Sequence, residues 1–111
     1  MIEKIILDYL NRTLTVNVYM EIPNKNETSF VVVEKTGSGK RNHIFDATIA
    51  IQSYGESLYE ASLLNEEVKT AMDNIIELDD ICRCDLNSDY NFTDTATKQY
   101  RYQAVFDLVH Y

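Results

Sequence analysis

The 111 residues predict an α+β fold, with two helices and about five strands in the order α-β-β-β-α-β-β. Three observations carry this. Apolar residues fall at helical spacing at the start of the chain and again in its middle. Period-two alternation fills most of the rest. The helices are separated by a run of strands rather than alternating with them, which favours a mostly antiparallel or mixed sheet with helices packed on it.

Ile2, Ile5, Ile6, Tyr9 and Leu10 form the first helical stripe, over about residues 2–11. Val16, Val18, Met20 and Ile22 alternate with polar neighbours and predict a strand that Pro23 ends, with Asn24-Lys25-Asn26 as its turn. Phe30-Val31-Val32-Val33 is apolar on both faces, so the second strand is expected to be covered on both sides. Gly37–Asn42 then reads as a long, flexible hairpin tip. The third strand runs from about Ile44 to Tyr54, with Phe45, Ala47, Ile49 and Ile51 on one face, and Gly55 breaks it. Ser57 and Glu60 form a capping box that opens a long helix. Its stripe of Leu58, Ala61, Leu64 or Asn65, Val68, Ala71 or Met72, and Ile75 predicts a helix to about Leu78. Glu77, Asp79 and Asp80 would then crowd its C-terminus, where negative charge is unfavourable. Ile81 to about Tyr90 and Tyr100–Tyr111 supply the last two strands.

This length suits one domain, residues 1–111, with a single core. No apolar run approaches a membrane span, and Met1-Ile2-Glu3-Lys4 does not open a signal peptide, so a soluble protein made in the cytosol is expected. Cys82 and Cys84 would share a strand face, too close in sequence for a good disulfide and without a second pair to complete a zinc site. Net charge is −8. Residues 1–55 are neutral, so all of the excess lies in residues 56–111. Such a chain repels nucleic acid over most of its surface, which argues against sequence-specific DNA binding.

The stretch "EKTGSGKRNHIFD" imitates a phosphate-binding loop. The first glycine of that pattern would fall at Glu34 and the magnesium-binding hydroxyl at Arg41, and a strand rather than a helix follows. Asp85, Asn87, Asp89 and Asn91 imitate the start of a calcium loop, but Tyr90 stands where glycine is needed and Ala96 where glutamate is needed. His43 and His110 have no nucleophile or carboxylate at catalytic spacing. No catalytic residue, metal ligand or cofactor is assigned, and an enzyme is not expected. Seven of the eight tyrosines lie outside the first helix, and as a set they suggest a self-associating subunit.

The segments "VNVYMEIP", "FVVVEKTGSG", "FDATIAIQSYGESLYEASLLNEEVKTAM" and "RYQAVFDLVHY" follow one another after a short N-terminal helix. In this order the chain resembles the tail terminator (tail-completion) proteins of long-tailed bacteriophages, over nearly all its length. Two positions depart from that pattern: Gly37-Ser38-Gly39 replaces a plain glycine pair, and Tyr54-Gly55 stands where an aromatic followed by alanine is usual. The resemblance implies a non-enzymatic virion part, assembled in the host cytoplasm and located at the neck of the particle. Such a part forms a homo-oligomeric ring, a hexamer, on the head-proximal end of the tail tube. The ring ends polymerisation of the major tail tube protein and receives the head connector or head-closure protein, while genome DNA passes through without specific binding. Under this resemblance the candidate ring contacts are the arm of Gly37, Ser38, Gly39, Lys40 and Arg41, and a neighbour's Glu77, Asp79 and Asp80. The alternatives are another neck protein, such as a head-closure or connector-adaptor subunit, or a small dimeric α+β ligand-binding module of a bacterium.

Overall fold

The computed structural model describes residues 1–24 and 26–111. Its elements are α1 (Ile2–Thr13), β1 (Val18–Tyr19), β2 (Phe30–Arg41), β3 (Ile44–Gly55), α2 (Leu58–Asp73), a 3-10 turn (Ile75–Glu77), β4 (Ile81–Asn91) and β5 (Tyr100–His110). This is the expected α+β order. The strands form one mixed sheet, β1-β2-β3-β5-β4, in which β1 runs parallel to β2 and every other pair is antiparallel.

Both helices lie on one face of the sheet. Ile6, Leu10, Val68 and Met72 meet Val31, Ile49, Ile51, Phe106 and Leu108 in a single core. Burial of each such side chain contributes about 1.5–3 kcal/mol. Tyr9 brings its hydroxyl into this layer and donates it to the Ala71 carbonyl at 2.8 Å, joining α1 to α2. Ser57 caps α2 as its sequence predicts: its Oγ accepts from Glu60 N–H at 3.1 Å, while the Glu60 carboxylate accepts from Glu56 N–H at 3.2 Å. The position after Tyr54 must be small, because a Cβ on Gly55 would stand 2.6 Å from the Ala61 backbone nitrogen.

Several expectations fail, each for a local reason. The first strand shrinks to Val18–Tyr19, and Met20 and Ile22 are exposed. Asn11 binds the Val18 backbone through both side-chain atoms, fixing the strand to α1 where alternation alone foresaw a longer run. The turn expected at Asn24-Lys25-Asn26 includes Lys25, which lies outside the described residues. Gly37–Asn42 is not a loose tip. β2 continues through Gly37, Ser38, Gly39 and Lys40 to Arg41, paired with Thr48, Ala47, Asp46, Phe45 and Ile44. The turn is only Asn42-His43, with φ of 50° and 66°, the left-handed pair that a two-residue hairpin demands. α2 stops at Asp73, where the Asn74 N–H bonds back to Ala71 and Met72. Glu77 therefore sits in a 3-10 turn, and Asp79 and Asp80 lead into β4, so none of the three crowds the end of the long helix. Ile81 pairs with His110 and Arg83 with Val109, so Cys82 is the extra residue of a bulge. The bulge breaks the expected alternation of the cysteines: Cys84 packs against the core and Cys82 is exposed.

Candidate partner interface

The hairpin of β2 and β3, the end of β5 and the start of β4 meet at one end of the sheet. Lys40, Phe45, His110 and Ile81 lie in one cross-strand row. Lys40 Nζ rests 5.2 Å from the centre of the Phe45 ring, and Phe45 stacks on His110 at 5.4 Å. Gly39 faces the Asp46 carboxylate, an exposed side chain that can swing aside, so a larger residue would fit there after a small side-chain shift. Around the row, Met1, Ile44 and Tyr111 are exposed apolar or aromatic groups. A groove of about 530 Å³ runs beneath, between the first turn of α1 and the arm, lined by Glu3, Lys35, Lys40 and Tyr111 among others. Lys35 reaches Glu3 at 3.7 Å across that groove.

The acidic candidates occupy the far side of the same end. The Tyr111 N–H donates to the Asp80 carbonyl at 3.0 Å and ties the last residue to the turn before β4. Lys40 and Ile81 are three strand spacings apart in their row, about 14 Å. Within one chain the Lys40–Arg41 pair therefore does not reach Asp79 or Asp80. Among the described residues neither cation forms a salt bridge. Lys40, Arg41, Asp79 and Asp80 thus share one end of the molecule without touching.

The imitated motifs are placed elsewhere. Lys40 lies inside a strand with no helix behind it, unlike the lysine of a phosphate loop. A second bulge, between Leu86 and Ser88, splits the Asp85, Asn87 and Asp89 set across the sheet. Asp89 turns to the helices, where it accepts from Lys69 at 2.7 Å and from Asn65 at 3.2 Å. These bonds, Asp89 first and then Glu66, raise the Lys69 pKa. Asp85 and Asp107 are paired across the helix-free face, and Asn87 donates to Asp107 at 2.9 Å. Burial, reinforced by Asp85 and Asp73, pushes the Cys84 thiol up to about 12.

One feature is not legible in residue patterns. On the helix-free face Phe30 stacks on Tyr54 at 4.5 Å, Tyr19 meets Phe30 edge-on, and the Arg101 guanidinium lies 4.5 Å from the centre of the Phe92 ring. Gln52 donates to Gln103 at 2.9 Å, Gln103 donates to the Tyr90 hydroxyl, and Arg101 donates to the Tyr54 hydroxyl at 3.1 Å. The tyrosines were visible as a set. Their alignment with Arg101 and the two glutamines depends on strand register, which composition does not carry.

The fold and this end of the sheet define a two-layer α+β domain with a basic arm and an acidic turn on separate elements. A scan against protein-family models and a search of curated proteins return no match.

Proposed function

We propose that the chain is a ring-forming tail terminator subunit of a long-tailed bacteriophage, a structural protein and not an enzyme. The ring, a hexamer, caps the head-proximal end of the tail tube, ends its polymerisation and receives the head connector. The observation that carries this reading is the gathering of two unlike surfaces at one end of the sheet: the Lys40–Arg41 arm and the Asp79–Asp80 turn. A closed ring needs different, complementary surfaces on the two flanks of each subunit. The order of elements agrees with the resemblance of the sequence, and the acidic second half suits a channel through which DNA slides without being held.

The decisive experiment removes the chain from the particle. Tails of irregular, excessive length that fail to join heads are expected. Tails of normal length on full heads overturn the proposal. Purified chain that stays a strict dimer, even with tail tubes added, favours a small ligand-binding module instead.

A further inference from the structure

Two stretches of sheet edge have no partner among the described residues. β1 covers β2 only at Val31 and Val32, which leaves β2 open from Val33 to Arg41. β4 pairs with β5 on one side, and its other edge is open over Ile81–Asn91. Open edges present unpaired N–H and C=O groups that accept a further strand. These two edges differ in charge. Along β2, Lys35 is engaged by Glu3, and Lys40 and Arg41 outnumber Glu34. Along β4 and its lead-in, Asp85 is paired with Arg83 and Asp89 with Lys69, which leaves Asp79 and Asp80 as the acids without an ion pair among the described residues. Like edges repel and unlike edges attract, so pairing of β2 with β2, or β4 with β4, is disfavoured.

Direction and height also agree. β2 and β5 run one way and β3 and β4 the other. A copy rotated about an axis along the strands therefore brings its β4 antiparallel to β2. At equal height its Ile81 meets the level of Lys40, with Asp79 and Asp80 beside Arg41. Lys35 and Leu86 also share a row; the β2 bulge lies on its hairpin side and the β4 bulge after Leu86 on its other side, so the two edges bend within about one row of each other. We propose that the β2 edge takes the β4 edge of a second copy of this chain, in an antiparallel, head-to-tail ladder. The pairing rests on the terminator reading only for its closure into a ring.

Two cysteine variants test it, each in a Cys82→Ser background. Gly37→Cys is sterically open, with its nearest neighbour atoms in Thr48 at 4.0 Å, and Asp85→Cys replaces an exposed side chain at the same level. The native Cys84 thiol is packed against the core and stays slow to react. The variants are treated with a short bismaleimide at about 1 mM chain, where an association of millimolar Kd is half-populated. The mixture is expected to give about tenfold more covalent dimer than either variant alone, because only unlike edges attract. Adding Lys40→Glu with Arg41→Glu to the Gly37→Cys chain should cut that yield several-fold, and Asp79→Lys with Asp80→Lys on the other chain should restore it. No dimer, or equal yields from the mixture and the single variants, overturns the pairing. A mixed dimer from a chain whose removal leaves tails normal keeps the pairing and discards the terminator reading.

Discussion

On the helix side of the sheet, Ile49, Ile51, Ala104, Phe106 and Leu108 are almost wholly removed from water beneath two helices. On the opposite side of the same strands, Gln52, Tyr54, Arg101 and Gln103 form a layer with no helix over it. Hydrogen bonds among the side chains hold that layer, together with stacking on Phe30 and Phe92. The first face gains its energy from apolar area and is indifferent to direction. The second gains less per residue and depends on geometry, since a neutral hydrogen bond contributes only about 0.5–1.5 kcal/mol net. An uncovered face of this kind keeps its side chains ordered without a second apolar layer, and it avoids a large exposed apolar patch.

The largest expected effect lies on the helix side. Phe106→Ala should destabilise the chain by about 3–5 kcal/mol, read as a lower urea midpoint at unchanged slope. A loss below 1 kcal/mol would show that the helix layer collapses onto the space and that burial is not the main support. Gly55→Ala should cost about 1–3 kcal/mol, because its methyl drives into the α2 backbone at Ala61. A neutral result would mean that α2 can shift freely on β3. Tyr54→Phe on the open face should cost about 1 kcal/mol. It keeps the stack on Phe30 and removes the hydroxyl shared by Arg101 and Gln52. A loss as large as that of Phe106→Ala would erase the distinction between the faces.

The effect confined to alkaline pH, and absent near neutrality, lies at the rim of the helix side. The folded pKa of Cys84, about 12, lies above its ordinary 9.0. The folded chain thus holds this proton more tightly than the unfolded chain. The stability so contributed is complete below pH 9.0 and is lost as pH rises toward about 12. Cys84→Ala should therefore show a shallower alkaline decline than the wild type in urea titrations above pH 9.0. Parallel declines would place the thiol in water. A maleimide should correspondingly label Cys82 and leave Cys84 until the chain unfolds.

The candidate interface shows how far residue patterns reach. The sequence names the Gly37–Arg41 arm and the acids Glu77, Asp79 and Asp80, but not Phe45, His110 and Ile81, which strand register sets in one row with Lys40. Whether the arm was a loop or a strand was not readable there. Gly37-Ser38-Gly39 has the composition of a turn, yet β3 supplies backbone partners to each of these residues. Pairing across a hairpin overrides local propensity when the facing strand is long and well anchored.

Local chemistry alone determined α1 from its stripe, the start of α2 from Ser57 and Glu60, and β3, β4 and β5 from their alternation, with ends correct to within three residues. These features rest on neighbours a few residues apart, so the sequence holds all the terms. Tertiary structure decided the rest: the docking of β1 on Asn11, the stop of α2 at Asp73, the bulge at Cys82 and the alignment of Tyr54, Arg101 and the two glutamines. It also placed Lys40 and Asp80 at one end of the sheet, although 39 positions separate them in the sequence. Each of these depends on contacts between distant segments and on strand register, where a shift of one residue turns every side chain to the other face.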